Sequence, residues 1–355
     1  MRILIGVQGT GNGHLSRCSA LAEALAKYPQ VQVDYLLSGR DREGYFDVQA
    51  FGDWQWRQGL SFVVKDSRLA IRETLRRNQW QTFWNDVNAL ELSAYDLIVS
   101  DYEPVTAWAG RKQQRRVIGM GRQYAFYDRA ATLHIHPTQR ALLRWFAPVT
   151  DVVGMHWLPD APHILPPIVH QRGEIMARES AKILVYLPFE PLSAVHKLLQ
   201  GFSDYQFSVF HPDAHAQIIG NIQYFPLSRV GFAQQFSSAT GVISNAGFET
   251  ACEALSQGKQ LLVRPLSGQF EQQANARCLS EYGLATVMRE LDRDAVSKWL
   301  VDSNGRSARQ VSWPNVAKRV AEWLADGACQ PINELSRSLW NDAELNDYMD
   351  LLKRG

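Results

Sequence analysis

Residues 241–255 read Gly-Val-Ile-Ser-Asn-Ala-Gly-Phe-Glu-Thr-Ala-Cys-Glu-Ala-Leu, and residues 260–276 read Gln-Leu-Leu-Val-Arg-Pro-Leu-Ser-Gly-Gln-Phe-Glu-Gln-Gln-Ala-Asn-Ala. The apolar run Gly241 to Ser244 has the length of a buried strand. Asn245-Ala246-Gly247 turns it directly into a helical pattern that runs to Gly258. The first N–H groups of such a helix stay unpaired and carry about half a positive charge, and small residues let a phosphate approach them. A second strand, Gln260 to Pro265, leads into a loop with Gln269, Glu271 and Gln272 before the next helix. An anion site and a carboxylate–amide cluster therefore fall at neighbouring strand ends, where open α/β sheets bind ligands.

The amino-terminal end repeats the pattern. Arg2 to Val7 is a strand, Gln8-Gly-Thr-Gly-Asn-Gly-His14 a glycine loop, and Leu15 to Lys27 a helix. Gly9, Gly11 and Gly13 alternate, so the dinucleotide fingerprint GxGxxG is not matched, and His14 at the helix start is left without a role in that reading. Val31 to Leu37 is the next strand. A helical pattern covers Arg68 to Leu92, with Arg68, Arg72, Arg76 and Arg77 beside Trp80, Phe83 and Trp84. Tyr95 to Ser100 is a strand that delivers Asp101 at its carboxyl end. Prolines 159, 162, 166 and 167 suit an extended connector. Strands at Lys182–Leu187, Gln206–Phe210 and Asn221–Phe225 follow it, with a helix expected near Asp213 to Ile219. The fold class is α/β, with two Rossmann-like domains facing across a cleft. The expected divisions are 1–160, a linker 161–180, a second domain 181–330, and a helical tail 331–355 that packs back across the domains.

The chain has 355 residues, is 46% hydrophobic, and carries 37 Lys and Arg against 36 Asp and Glu. A net charge of +1 gives no global attraction to nucleic acid, which is not an expected partner. Cys18, Cys252, Cys278 and Cys329 are scattered without CxxC spacing and read as reduced thiols of a cytoplasmic protein. The first apolar run is too short for a signal peptide, and none approaches the roughly 20 residues of a membrane span.

Gly9-Thr-Gly-Asn-Gly-His14, Ser244-Asn-Ala-Gly-Phe-Glu-Thr and Pro265-Leu-Ser-Gly-Gln-Phe-Glu-Gln-Gln-Ala-Asn-Ala together resemble nucleotide-sugar glycosyltransferases of the GT-B fold. The closest likeness is to UDP-sugar transferases of plant and glucuronosyl type and to the bacterial peptidoglycan N-acetylglucosaminyltransferase. The resemblance implies that Asn245, Ala246 and Gly247, with Glu249 and Thr250, form the diphosphate-binding turn and helix start. It implies that Glu253 accepts hydrogen bonds from ribose hydroxyls, that Glu271 and Gln272 hold donor-sugar hydroxyls, and that the strand end with Phe225 and Leu227 reads the base. The loop with Gly11, Asn12 and Gly13 belongs to the acceptor side. His14 matches the general base of inverting members, oriented by Asp101: an imidazole titrating near neutrality takes the acceptor's proton, and a carboxylate behind it fixes the tautomer.

Three departures from that family stand out, and one feature bears on stereochemistry. The family's usual histidine in the diphosphate turn is replaced by Asn245 or its neighbour, its usual tryptophan by Phe248, and a loop differs. Where many relatives have a Gly-Gly-Ser type loop after the first strand of the second domain, this chain has Tyr186-Leu-Pro-Phe-Glu190. Glu190 would repel phosphate unless neutralised, for which Arg264 is the nearby cation, or it binds sugar or acceptor instead. Retaining members carry a glutamate eight positions before the ribose-binding one; here that position is Asn245, which favours inversion.

No cofactor is expected beyond the nucleotide-sugar co-substrate, UDP-linked by the resemblance, and no metal. His134 with His136, and His211 with His215, lack further ligands nearby, and Asp292 and Asp294 read as helix caps. The alternatives are a nucleotide-sugar epimerase of the same fold and a catalytically silent nucleotide-sugar-binding protein. The acceptor is a hydroxyl compound. Arginines beside tryptophans admit a lipid-linked one, with peripheral contact at the inner face of a membrane.

Overall fold

The computed structural model describes residues 1–61, 64–65, 68–69, 73–74, 76, 78–127, 135–170, 177–303, 308 and 310–343. The described residues fall into two compact units. Residues 1–61, those from 73 to 170, and 313–343 form the first; 64–69 and 177–312 form the second.

In the first unit Arg2–Gln8 (β1) is buried from Ile3 onward. Such a continuous apolar strand belongs in a parallel sheet covered on both faces. It leads into Asn12–Leu25 (α1), Gln32–Ser38 (β2) and Gln55–Trp56 (β3). After the short pair Val64–Lys65 (β4) and Arg68–Leu69 (β5), which is grouped with the second unit, come Trp80–Ala89 (α2), Leu97–Asp101 (β6), Pro104–Lys112 (α3) and Ile118–Gly121 (β7). A 3-10 turn at Gln123–Phe126, Pro137–Phe146 (α4), Asp151–Met155 (β8) and Ile164–Leu165 (β9) complete the run. The sheet order is β3-β2-β1-β6-β7-β8-β9, all parallel. The chain leaves β1 toward β2 on one side and later returns to β6 on the other. The carboxyl ends of β1 and β6, paired Val7 to Asp101, are thus the point where strand order reverses.

The second unit repeats the design with Lys182–Tyr186 (β10), Leu192–Leu199 (α5), Gln206–Phe210 (β11), Gln217–Ile219 (β12), Ile222–Phe225 (β13), Arg229–Ser238 (α6), Gly241–Asn245 (β14), Phe248–Ser256 (α7), Gln260–Arg264 (β15), Phe270–Glu281 (α8), Thr286–Val287 (β16) and Arg293–Ser303 (α9). Its order is β12-β13-β11-β10-β14-β15-β16. β12 alone runs antiparallel, and the reversal point lies between β10 and β14. One core binds the sheet to its helices, with Val185, Phe207, Ile243, Leu262, Val296 and Trp299 among its buried members.

The structure departs from the sequence expectations in four places. The helix expected near Asp213–Ile219 is edge strand β12, because Gly220, at φ 60°, makes a tight Gly220-Asn221 turn that pairs Ile219 with Ile222. The proline-rich stretch assigned to a linker from 161 contributes β9, which pairs with β8 in the first sheet. The second domain does not extend to 330. Val316–Ala325 (α10) lies in the first unit, burying Val316, Ala317, Val320, Ala321, Trp323 and Leu324, and α1 is its neighbour. Ile332–Asp342 (α11) also lies there, and Ser336 Oγ and Trp340 Nε1 both donate to the Ile164 carbonyl, at 2.6 and 2.7 Å. Finally, the pattern expected over Arg68–Leu92 is helix at Trp80–Ala89 but strand at Arg68–Leu69. Arg72, Arg77, His134 and the tail beyond 343 lie outside the described residues. None of the described helices is long and apolar enough to cross a membrane.

Candidate functional site

The reversal point of the first sheet holds a buried charged cluster. α1 starts at Asn12, earlier than the sequence pattern places it, with Gly11 as an extended N-cap that offers no side chain. His14 is therefore in the first turn. Its Nδ1 lies 2.9 Å from Oδ1 of Asp101, at the end of β6. Asp101 has no exposed surface, and every lone-pair direction is used. Arg17 donates from Nη2 to Oδ1 at 2.6 Å and from Nε to Oδ2 at 3.0 Å, and Cys18 Sγ approaches Oδ2 at 2.8 Å. Burial alone would push the Asp101 carboxyl up, but the Arg17 guanidinium and then His14 outweigh it and hold the group well below the usual carboxylate range. Burial pushes the Cys18 thiol well up, with the Asp101 charge adding to it, so Cys18 stays a neutral donor.

The geometry also assigns the tautomer. Nδ1 has two polar neighbours, the Asp101 carboxylate at 2.9 Å and Arg17 Nη2 at 3.1 Å; the shorter contact, to a full negative charge, places the proton on Nδ1 and leaves the lone pair of Nε2 as the basic site. Gln123 Nε2 stands 3.5 Å from that nitrogen. Gly121, at φ 144°, closes the cluster: a Cβ there would lie 2.9 Å from Asp101 Oδ1 and 3.1 Å from Arg17 Nη2. Sequence reading places none of Arg17, Cys18 and Gln123 at a site. The signal for the first two was their spacing, since i+3 and i+4 from His14 share its helix face. Of the acceptor-side loop, Asn12 accepts from Arg40 at 3.1 Å through Oδ1, and Gly13 lies inside α1.

In the second unit, Asn245 and Arg264 are paired at the ends of β14 and β15. Asn245 Nδ2 donates to the Arg264 carbonyl at 3.1 Å, and Asn275 Nδ2 donates to the Ala246 carbonyl at 3.0 Å, which fixes the turn. Gly247 is the N-cap of α7 with no side-chain cap, and open space lies beyond its Cα. Glu249, Thr250 and Glu253 line the first turns of α7, half-buried, and Glu271 is half-buried at the start of α8. Gln272 is turned onto the loop, where its Oε1 accepts from Leu266 N at 3.0 Å. Phe225 stacks on Phe210 at 4.8 Å, and its carbonyl accepts from His211 N; Leu227 is half-buried two residues on.

Glu190 lies just past β10, buried, with Oε1 2.6 Å from Arg264 Nη1. The two charges touch without the alignment of a hydrogen bond, and Arg264 Nε and Asn245 Oδ1 have no hydrogen-bond partner among the described residues. His211 pins the Glu190 loop: Nε2 contacts the Glu190 carbonyl at 2.8 Å, while Nδ1 accepts from Asp213 N at 3.1 Å. That arrangement needs a neutral ring with its proton on Nε2. His136 caps α4. Among the described residues no group of three His, Cys, Asp or Glu is placed to hold a metal ion. The chain thus holds a histidine against a buried carboxylate in one unit and, in the other, a helix start without a side-chain cap near a buried guanidinium.

A family model described as glycosyl transferase family 1 matches residues 1–303. Among solved structures, spinosyn rhamnosyltransferase SpnG complexed with thymidine diphosphate is 16% identical, covers 96% of this chain and 100% of its own, and has a TM-score of 0.58. MnaA of S. aureus in a co-structure with UDP is 12% identical, covers 92% and 96%, and has a TM-score of 0.62. The glycosyltransferase SnogD from Streptomyces nogalater is 14% identical, covers 92% and 99%, and has a TM-score of 0.55. At such identities the likeness is one of fold, and that fold is GT-B, two Rossmann-like domains. No curated protein matches the chain by sequence.

The buried Glu190–Arg264 pair makes a stability prediction. Glu190→Gln strands a buried cation and should cost about 3 kcal/mol in urea unfolding, whereas the double change Glu190→Met with Arg264→Met should cost clearly less. Equal losses in the two proteins would show that the charges are not coupled.

Proposed function

The chain belongs to glycosyl transferase family 1 and is a glycosyltransferase, and from that premise we propose that it moves a sugar from a nucleotide diphosphate, UDP foremost, to a hydroxyl acceptor with inversion and without a metal ion. The observation that carries the reading is His14 Nδ1 held 2.9 Å from the ionised Asp101, with Nε2 left as the base. In the reaction the acceptor oxygen gives its proton to His14 Nε2 and forms a bond to the anomeric carbon. The bond from that carbon to the diphosphate oxygen breaks, and its electron pair leaves with the nucleotide. The departing charge is met by the positive end of the α7 dipole, whose N-cap Gly247 carries no side-chain cap, and by a hydrogen bond from Arg264 Nε. Glu190 is neutralised by Arg264 and so does not oppose it. Glu253 takes the ribose hydroxyls, and Glu271 with the amide of Gln272 takes those of the sugar. Support for a nucleotide diphosphate also comes from the solved neighbours that bind thymidine diphosphate and UDP.

A lipid-linked acceptor is the reading that one surface of the first unit favours. Trp80, Trp84, Trp108 and Trp145 form a chain of ring contacts between 5.2 and 6.1 Å. Trp84, Trp145 and Leu142 are exposed, and Arg111 lies 5.2 Å from the Trp108 ring centre. Tryptophans with a basic flank suit the headgroup level of an anionic membrane.

Two experiments test the proposal. In thermal unfolding with a panel of nucleoside diphosphates, UDP should raise the melting temperature in EDTA. His14→Ala should keep that shift while lowering kcat/KM by about 10²–10⁴-fold. No response to any nucleotide, or undiminished transfer by His14→Ala, would overturn the corresponding part. For the surface, the protein should sediment with anionic phosphatidylserine vesicles and cease to do so as Trp84→Ser/Trp145→Ser; a wild type that stays in solution rejects membrane contact.

A further inference from the structure

The base reading takes His14 and Asp101 as a pair, yet the cluster has a third charged member that a pair does not need. We infer that Arg17 is a positioning residue for the transfer reaction: it grips Asp101 side-on and thereby stops His14 from collapsing into a tight imidazolium–carboxylate pair. The inference rests on the proposed role of His14 and deepens it.

Nε and Nη2 of Arg17 address the two oxygens of Asp101 at 3.0 and 2.6 Å, the forked arrangement in which guanidinium binds carboxylate most firmly. Arg17 is 2% exposed and Asp101 fully buried, so neither charge relaxes into solvent. Gly121 is held at φ 144° with no room for a Cβ between them, so the backbone itself is shaped to the pair. Arg17 and Asp101 cancel. When His14 accepts a proton, the cluster passes from neutral to singly positive, whereas a bare His–Asp dyad would pass from negative to neutral. Arg17 Nη2 also lies 3.1 Å from His14 Nδ1, so a ring protonated at Nε2 carries its delocalised charge directly against the guanidinium.

The other groups around the cluster do not substitute for Arg17. Cys18 on α1, Tyr35 on β2 and Tyr124 on the 3-10 turn are pushed up by burial and stay neutral. Glu103, just past β6, is likewise pushed up by burial, and it is committed to Ser38 and to the N–H groups of Val105 and Thr106. Gln123 is uncharged. Arg122 turns away onto His156 and the Met155 carbonyl, and Arg40 reaches Asn12.

The test is an NMR pH titration of the His14 ring in the full-length protein labelled with ¹³C-histidine, its signal assigned by loss in His14→Asn. In Arg17→Gln the midpoint should rise by about one pH unit, because a neighbouring positive charge is removed. The proton is then bound at higher pH whether it sits on His14 or on Asp101. The acid limb of kcat/KM should move up by the same amount. The double variant Arg17→Gln/Asp101→Asn removes equal and opposite charges, folds without a stranded ion, and should titrate within about half a unit of wild type. An unmoved midpoint in Arg17→Gln, or a rise of a full unit in the double variant, overturns the inference. A midpoint that moves while the rate profile stays in place leaves Arg17 as the group that tunes the dyad and instead overturns His14 as the base.

Discussion

A carboxylate with no exposed surface has to be neutralised by groups that the chain brings to it, and much of the first unit's architecture serves that requirement at Asp101. β6 ends beside β1, so Asp101 lies at the strand-order reversal, next to the turn from which α1 begins. α1 answers with His14, Arg17 and Cys18 on one face, and β7 answers with a glycine where any side chain would collide. Each contact is modest alone. Together they turn an expensive buried ion into a fixed point from which an imidazole is aimed.

The second unit meets the same constraint in another way. Glu190 is buried at the end of β10, beside its own reversal point, and Arg264 from β15 stands against it at 2.6 Å. His211 holds the loop from behind through the Glu190 carbonyl. The pair leaves Arg264 Nε unengaged among the described residues, near a helix start that has no cap of its own. An N–H left open in this way can donate to an anion even though Glu190 balances the guanidinium charge. Glutamate in this loop is thus compatible with a diphosphate, because its charge is already matched within the protein.

Much of this was legible in the sequence, and for physical reasons. The strand, small-residue turn and helix at 241–256 follow from apolar run length and from residues that cannot continue a strand, and Asp101 at a strand end follows from the run before it. A candidate partner for Glu190 could be named because opposite charges at strand ends on the same edge of one sheet seek each other, here across β14. Arg17 could not be read this way: an arginine in an amphipathic helix ordinarily faces water, and only the packing of β6 and β7 against α1 shows that this one does not. Local pattern was equally silent on α10, whose apolar face fits either unit and whose place is decided by contact with α1. The short strand β12 was misjudged because the helix-compatible run Asp213-Ala-His-Ala-Gln217 outweighed the Gly220-Asn221 turn signal beside it.

The account rests on a base in the first unit that activates a hydroxyl for direct displacement of a nucleotide diphosphate. Its most direct test needs no knowledge of the natural acceptor. Single-turnover hydrolysis of an α-linked UDP-sugar, followed by proton NMR, reports which anomer forms first. The account predicts the β anomer at first, with the α form appearing later by mutarotation. First appearance of the α anomer would contradict displacement by a nucleophile that His14 activates.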